Sequence, residues 1–192
     1  MELNGRQINN IRKDHLERYM TALKMVEETD DVLDCACGSG YGTKILSAKT
    51  KRIVGYDIDE PTINLAKKTM PDIDFRCSDL QKTEFPKVDK VISFETIEHL
   101  DKPEDFLNSL DTKILIGSVP NEDINPFNPY KFIWHKRHYT LGEITELLTE
   151  CGFELKRVGY QHGKESEVVF DDKLIGKKSS PGMTIVFVAE KC

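Results

Sequence analysis

The sequence predicts an α/β fold: one sheet of seven mostly parallel strands, with helices on both faces and an antiparallel hairpin at the C-terminal end. Two observations support this prediction. Apolar runs alternate with amphipathic ones along the 192 residues, which is the pattern of layered α/β domains. The last two apolar runs are joined only by a loop, residues 161–182, so they are expected to pair antiparallel. The length suits a single domain, residues 1–192.

The seven strands are predicted from short apolar runs that contain many β-branched and aromatic residues. They are VLDCA (32–36), RIVGYDI (52–58), IDFRC (73–77), KVISFE (90–95), KILIGSV (113–119), FELKRVGY (153–160) and MTIVFVAE (183–190).

The helices between the strands are predicted from their end signals. An N-terminal cap region, residues 1–29, has helical spacing over 8–28. The other signals are Asp59 or Glu60 before Pro61, an Asp101/Glu104 pair, and a Thr140/Glu143 capping box whose helix ends at Gly152.

Residues 120–139 fit neither the helical nor the strand period. Their prolines, aromatics and histidines predict an ordered loop, a lid above the strand ends. We expect this lid to order over a bound acceptor molecule.

Composition excludes several classes of protein. The formal net charge is −6, so the chain lacks the overall field that attracts nucleic acid or anionic membranes. No apolar run approaches the ~20 residues of a membrane span, and no secretory signal is evident. The five cysteines, mostly inside apolar runs, favour a reducing compartment. We therefore expect a cytoplasmic protein with no nucleic-acid or membrane partner.

A glycine-rich turn follows the first predicted strand. Gly38, Gly40 and Gly42 come within five residues, and glycines at this place let a ligand approach the backbone closely. The spacing is not that of a P-loop. Thr43 occupies the third glycine position of a dinucleotide fingerprint, which disfavours NAD.

Three acidic residues indicate which kind of nucleotide binds. Asp57 ends the second strand, where a carboxylate can accept hydrogen bonds from ribose hydroxyls. Asp34 precedes the glycines, where it suits a cationic ammonium group and repels a pyrophosphate. Asp79 ends the third strand and either accepts from an adenine amino group or is a solvated turn residue.

The segments VLDCACGSGYG, GYDID, CSDL and ISFETIEHL resemble the successive motifs of the class I S-adenosylmethionine (SAM)-dependent methyltransferases. VPN and the later HKRHYTLGEITELLTECGFE are similar to the small-molecule, ubiquinone-biosynthesis-like group. The resemblance covers roughly residues 15–160 and implies a Rossmann-like methyltransferase fold with SAM as cofactor. Ala36 departs from the usual glycine, and alanine is expected to fit if φ is negative there.

The resemblance implies a role for each matching position. Gly38, Gly40 and the Ala36 backbone would flank the methionine part of SAM. Asp34 would anchor its ammonium group, directly or through water, and Tyr19 would contact its carboxylate. The other positions are Asp57 for the ribose, Ile58, Asp79 and Leu80 for the adenine, and Phe94 and Glu95 under the sulfonium.

Methyl transfer mainly requires alignment of the acceptor with the sulfonium and exclusion of water. A hydroxyl acceptor would gain from a nearby base. Glu98, His99, His135 and His138 are the candidates, with His99 preferred and His138 second. The sequence shows no recognisable metal-ligand spacing, so no metal is predicted.

The predicted function is methyl transfer from SAM to a small-molecule acceptor, for example a sugar or another metabolite, on oxygen or nitrogen. A SAM-binding regulator or a catalytically inactive partner subunit is the alternative, because binding does not prove turnover. An NAD-dependent oxidoreductase is disfavoured by Asp34, Thr43 and the closing hairpin.

Overall fold

A computed structural model describes residues 11–192. Over that range the chain forms one eight-stranded sheet with helices on both faces. The strands are β1 (Val32–Cys35), β2 (Ile53–Asp57), β3 (Asp74–Cys77), β4 (Val88–Phe94), β5 (Thr112–Pro120), β6 (Phe153–Gln161), β7 (Val169–Phe170) and β8 (Thr184–Lys191). The helices are α1 (Lys13–Leu23), α2 (Tyr41–Leu46), α3 (Glu60–Thr69), α4 (Pro103–Ser109) and α5 (Leu141–Glu150), and 3₁₀ turns span Ile97–His99 and Asp172–Leu174.

The strand order in the sheet is β3-β2-β1-β4-β5-β8-β6-β7. Strands β1 to β5 are parallel to one another, whereas β8 is antiparallel to both of its neighbours, β5 and β6. The predicted α/β fold is therefore confirmed, including its antiparallel C-terminal strands. The order reverses between β1 and β4, and ligands of such sheets bind beyond the carboxyl ends of the strands at this point.

The sheet has one strand more than the sequence predicts. β7 spans two residues within the predicted 161–182 loop and pairs with Gly159 and Tyr160 of β6. Two residues are too few to produce an alternating pattern, so the sequence alone gives no signal for it.

The core lies in two layers, one on each face of the sheet. Neighbouring strand residues point to opposite faces. Leu33 and Val91 pack in the layer that contains the apolar residues of α4 and α5. Val32 and Ile92 pack in the layer that contains those of α1 and α2. Burial on both faces explains why β1 and β4 are nearly continuous apolar runs.

Two of the predicted helix starts are confirmed. The Asp59 carboxylate accepts from the Thr62 N–H at 3.0 Å, which caps α3. The Thr140 hydroxyl accepts from the Glu143 N–H while the Glu143 carboxylate accepts from the Thr140 N–H, so the capping box of α5 forms as predicted. The φ of +78° at Gly152 follows the end of α5, as expected for a C-terminal glycine.

The predicted cap of α4 is wrong. The helix begins at Pro103, its N-cap is Lys102 and no side chain caps it. Asp101 instead forms an ion pair with Lys136, with 2.9 Å between Oδ1 and Nζ. Proline has helical φ and no N–H to satisfy, so it starts this helix without an aspartate cap.

The N-terminal helix is shorter than its predicted range of 8–28. α1 ends at Leu23, and residues 1–10 lie outside the described part of the chain. Tyr19 and Ala22 of α1 are buried in the layer that contains Leu46 of α2. The helix therefore packs over the start of the sheet at β1, beside the glycine turn.

Residues 120–139, called the lid segment below, consist of turns and irregular backbone. Its two ends are held together, because the Tyr139 N–H donates to the Pro120 carbonyl at 3.1 Å and the Glu122 N–H donates to the Tyr139 carbonyl at 3.0 Å. Trp134, in the middle of the segment, is exposed. The segment is thus anchored at its base, and its closure over an acceptor stays a prediction.

Candidate functional site

Backbone strain marks the edge of the sheet where β1 and β4 end. Ala36, directly after β1, has a φ of 62°, and Glu95, directly after β4, has a φ of 52°. A left-handed backbone at a residue other than glycine costs roughly 1–2 kcal/mol, and such strain concentrates at functional sites. This edge is therefore the candidate site.

The positive φ at Ala36 contradicts the expectation that alanine fits there with negative φ. The Cβ of an L-residue in this conformation lies too close to the backbone. The same geometry gives the physical reason why glycine is usual at this position of the motif that the sequence resembles.

Replacing Ala36 with glycine is expected to raise the free energy of unfolding by about 1 kcal/mol, because glycine adopts positive φ without steric cost. Denaturant unfolding of both proteins measures the difference. Ala22→Gly, the same exchange inside helix α1, is the control and is expected to destabilise the fold. A loss of stability in Ala36→Gly would contradict the strain argument.

The three glycines of the turn have different roles. A Cβ at Gly38, whose φ is +52°, would meet no atom within 4 Å, so its surroundings are open. A Cβ at Gly40 would lie 2.6 Å from the Phe75 ring, and one at Gly42 would lie 2.0 Å from the Tyr19 ring. Gly40 and Gly42 are therefore required by packing, whereas Gly38 leaves room for a ligand at the backbone.

Asp57 lies beside the glycine turn. Its Oδ2 accepts from the Gly38 N–H at 2.8 Å, and its Oδ1 accepts from the Asp59 N–H at 3.0 Å. The side chain of the next residue, Ile58, is 68% exposed. An anchored carboxylate next to an exposed apolar side chain offers a polar and an apolar contact to one ligand.

The two predicted adenine contacts after β3 differ in their surroundings. Asp79 is half-buried, and its Oδ2 lies 2.8 Å from Lys82 Nζ. The hydrogen bond from Lys82 lowers the pKa of Asp79, with a further contribution from the Gln81 N–H. Leu80 is buried in the core layer that contains Tyr56. Its side chain therefore supports the sheet, and its role at the adenine stays a prediction.

Asp34 is fully buried and is held by two hydroxyl groups. The Tyr19 hydroxyl donates to its Oδ1 at 3.0 Å, and the Thr43 hydroxyl donates to its Oδ2 at 2.6 Å. Burial raises the pKa of Asp34 to about 6, against the opposing effect of these two bonds. The carboxylate thereby connects β1 with α1 and α2.

The sequence predicted that Tyr19 contacts the cofactor carboxylate, and the hydrogen bond of its hydroxyl to Asp34 disagrees with that prediction. The Tyr19 side chain is buried, and its one hydroxyl proton is donated to Asp34. Tyr19 thus positions Asp34. Direct contact of Asp34 with an ammonium group is also not what the structure shows, because the Asp34 side chain has no exposed surface.

Arg18, the neighbour of Tyr19, is a stronger candidate for binding a carboxylate. Its side chain is 1% exposed, and Nη1 donates to Gln161 Oε1 at 2.6 Å. Nε and Nη2 have no hydrogen-bond partner among the described residues. The positive charge acts on Tyr41, directly after the glycine turn, and on Glu98 beyond β4. Arg18 is therefore a buried cation that lies 3.9 Å from the Asp14 carboxylate and keeps two donor atoms without a hydrogen-bond partner among the described residues.

Phe94 is the last residue of β4 and Glu95 follows it, and their place under the sulfonium stays a prediction. The Phe94 ring packs edge-on against Tyr19, with 5.2 Å between centroids. Glu95 is half-buried, and its Oε1 accepts from the Ser118 hydroxyl at 2.9 Å. This bond leaves the second carboxylate oxygen of Glu95 for another partner.

The two predicted catalytic histidines differ in accessibility. His99 is partly exposed, and its Nδ1 lies 2.9 Å from the Trp134 carbonyl, so Nε2 is free. His138 is buried, with Nδ1 2.6 Å from the Asn125 carbonyl and Nε2 2.8 Å from His135 Nδ1. The structure disagrees with His138 as a base, because neither of its ring nitrogens is available to an acceptor.

A family model described as a methyltransferase domain matches residues 33–114, the range from β1 to β5 that carries the glycine turn, Asp57 and Glu95. This match, together with the relatives below, supports the class I SAM-dependent methyltransferase superfamily that the sequence resembles. SAM is the cofactor of this methyltransferase domain, as the sequence predicted. The NAD-dependent alternative finds no support in this match.

Relatives of the methyltransferase domain agree with this assignment. A protein of Mycolicibacterium smegmatis, described as a probable SAM-dependent methyltransferase, is 32% identical over 148 residues, which are 69% of this chain and 56% of the relative. The chain thus spans about half the length of the curated relatives it matches.

Solved structures share the methyltransferase fold. A SAM-dependent methyltransferase of Thermotoga maritima superposes with a TM-score of 0.73 at 17% identity, covering 94% of this chain and 91% of that one. The magnesium protoporphyrin IX methyltransferase of Synechocystis, solved with bound S-adenosylhomocysteine (SAH), has a TM-score of 0.69 at 16% identity, covering 100% of this chain and 90% of that one. Among the described residues, no helix is both long and apolar enough to cross a membrane.

Proposed function

We propose that the chain transfers the methyl group of SAM to a small-molecule acceptor that binds next to the lid segment. The observation that carries the proposal is the pairing of Gly38 with Asp57 at the switch point of a methyltransferase domain. The backbone at Gly38 is open to a ligand, and the Asp57 carboxylate lies 2.8 Å from its N–H. This combination suits a nucleoside that has free ribose hydroxyls.

The nucleoside half of SAM would be held by residues after β2 and β3. Asp57 accepts from the ribose hydroxyls, and the exposed Ile58 side chain covers one face of the adenine. Asp79 lies at the adenine edge, with Lys82 as its present partner. Leu80 would frame the adenine from the core layer that contains Tyr56.

The methionine half of SAM would lie over the glycine turn. Its carboxylate accepts from Nε and Nη2 of Arg18, the two donor atoms that neither Gln161 nor Asp14 engages. Its ammonium group lies near Asp34, through water, since the Asp34 carboxylate is enclosed by Tyr19 and Thr43. The negative charge of Asp34 still favours a cation nearby.

Substituting alanine for Asp57 is expected to weaken the binding of SAH by about 1.5–3 kcal/mol, roughly 10- to 150-fold, because hydrogen bonds to a charged group are lost. Calorimetric titration with SAH measures the change. Asp72→Ala, which removes an exposed carboxylate in the turn before β3, is the matched control and should bind SAH normally. Wild-type affinity in a folded Asp57→Ala protein would refute the ribose contact.

The acceptor would bind on the side of the sulfonium formed by Glu95, His99 and the lid segment. Two of the three basic residues of the lid segment are paired with acidic side chains, Lys136 with Asp101 and Arg137 with Glu143 at 2.5 Å, whereas Lys131 lies over the Phe132 ring. The net charge of −6 also disfavours polyanionic acceptors. These charges favour a neutral or cationic small molecule.

Methyl transfer itself is tested with SAM labelled in its methyl group and a cell extract separated into small molecules and macromolecules. The proposal expects label in the small-molecule fraction, dependent on the protein. Label in protein or nucleic acid would contradict the small-molecule acceptor. SAH binding without any transfer of label would support the alternative, a SAM-binding regulator or an inactive partner subunit.

A further inference from the structure

Three side chains with metal-ligating atoms lie together beside the end of β4. Glu98 and His99 belong to the 3₁₀ turn that follows this strand, and His135 belongs to the lid segment. One ligating atom from each residue lies within 4.8 Å of the other two. The Lys136 N–H donates to the Glu98 carbonyl at 2.7 Å, which holds the lid segment against this turn.

Glu98 is a buried carboxyl group that needs a partner. Its side chain is 0% exposed, and neither oxygen has a hydrogen-bond partner among the described residues. Burial, together with the nearby Glu95, raises the pKa of Glu98, and the opposing effects of its own backbone N–H and of the Arg18 charge are smaller. A buried carboxylate without donors is costly. A cation beside it would remove that cost.

The hydrogen bond made by His99 leaves one ring nitrogen free to ligate an ion. Nδ1 lies 2.9 Å from the Trp134 carbonyl. Because a carbonyl oxygen only accepts, Nδ1 carries the proton and Nε2 keeps its lone pair. That Nε2 lies 3.9 Å from Glu98 Oε1.

His135 is fixed in the same way by a two-step chain. The His138 Nδ1–H donates to the Asn125 carbonyl at 2.6 Å, so His138 Nε2 accepts from the His135 Nδ1–H at 2.8 Å. His135 Nε2 thus also keeps its lone pair. Metal-ligating histidines almost always donate their other N–H to such a partner. This gives the buried His138 the function of orienting His135.

We propose that Glu98, His99 and His135 bind one divalent transition-metal ion, and that the open positions of this ion take an oxygen atom of the acceptor. Two imidazoles and one carboxylate suit first-row ions such as Mn²⁺, Co²⁺ or Zn²⁺ better than Ca²⁺. Three protein ligands leave positions for an external ligand. In this assignment His99 is a ligand and not a base.

The second part of this inference rests on the proposed methyl transfer and specifies an acceptor hydroxyl. An ion lowers the pKa of a hydroxyl bound to it. The hydroxyl proton leaves to solvent, the oxygen forms a bond to the methyl carbon, and the bond from that carbon to the sulfonium sulfur breaks. SAH and a methyl ether are the products, and no oxidant or reductant is required.

The test uses Co²⁺ as a spectroscopic probe and chelator-treated full-length protein. The inference expects one Co²⁺ per chain, with visible absorption bands of a coordinated ion, and calorimetric competition by Zn²⁺. Glu98→Gln and His135→Ala are each expected to weaken Co²⁺ binding at least 10-fold, and His138→Asn to weaken it about 10- to 100-fold as an outer partner of a ligand. His162→Ala, at an exposed histidine outside the cluster, is the control with unchanged binding.

Two outcomes would overturn the metal site: no Co²⁺ bands in the wild-type protein, or equal Co²⁺ binding by wild type, Glu98→Gln and His135→Ala. Circular dichroism and SAH calorimetry on each variant are the controls for an intact fold, so that a loss of metal binding can be assigned to a lost ligand.

Normal SAH binding without metal binding would contradict this inference and leave the proposed function standing. Metal binding in a protein that never transfers the labelled methyl group would contradict the proposed methyl transfer and leave the metal site standing. Transfer to a hydroxyl at an unchanged rate after chelation would overturn the acceptor part.

Discussion

Replacing Arg18 with methionine is expected to weaken SAH binding by at least about 30-fold, equivalent to 2 kcal/mol or more, since truncating one partner of a buried charge pair costs 2–5 kcal/mol. Nε and Nη2 of Arg18 are buried and have no hydrogen-bond partner among residues 11–192. The SAH carboxylate is the anion proposed to fill this place. Calorimetric titration of the folded variant with SAH measures the loss.

A ligand without the carboxylate separates binding from folding in this experiment. 5′-Methylthioadenosine keeps the nucleoside and the sulfur but lacks the amino acid end, so Arg18→Met should bind it as well as the wild type does. Arg52→Met, at a half-exposed arginine before β2, is the matched control and should bind both ligands normally. Equal loss of affinity for both ligands in Arg18→Met would mean that the guanidinium supports the fold and not the cofactor.

The second large effect is a dependence of stability on pH that originates at Asp34. Its pKa is raised from 3.8 to about 6 by burial, so the folded protein holds the Asp34 proton more tightly than the unfolded chain does. The contribution of Asp34 to stability is therefore complete below the pKa that this residue has in the unfolded chain. It is lost as the pH rises to the pKa of Asp34 in the folded protein. The contribution lost between about pH 4 and pH 6 is up to about 3 kcal/mol.

Asp34→Asn removes the titrating proton and should remove this decline. The measurement is the free energy of unfolding in denaturant at several pH values between 4 and 7, for wild type and variant. Asp111→Asn, at an exposed aspartate before β5, is expected to keep the wild-type pH profile. Parallel pH profiles for wild type and Asp34→Asn would contradict the raised pKa.

Local patterns were sufficient to predict the parts of the site that depend on chain order. The glycine turn after β1 and the carboxylate at the end of β2 follow from the rule that ligands bind at strand ends. Gly38 and Asp57 are accordingly found side by side, joined by a hydrogen bond of 2.8 Å. The Thr140 capping box is equally local and forms as predicted.

Other assignments failed because distant residues decide them. Tyr19 and Arg18 are neighbours in the sequence. The Tyr19 hydroxyl donates to Asp34, whereas Arg18 donates from only one of its nitrogens to Gln161, which lies 143 positions later in the chain. The sequence predicted His138 as the second candidate for a general base. In the structure, the Asn125 carbonyl and His135 occupy both of its ring nitrogens.

The proposed metal ligands show the same limit of sequence patterns. His99 and His135 belong to different elements with no ligand spacing between them, and only the fold brings His135 to the end of β4. The φ of 62° at Ala36 is likewise set by the tertiary course of the loop and not by the residue itself.

The most direct test of the central claim, that the edge of the sheet at β1 and β4 binds SAM, is a calorimetric titration of the wild-type protein with SAH and, separately, with NADH. The account predicts binding of SAH at one site with micromolar affinity and no binding of NADH. Tight binding of NADH with no heat from SAH would contradict it.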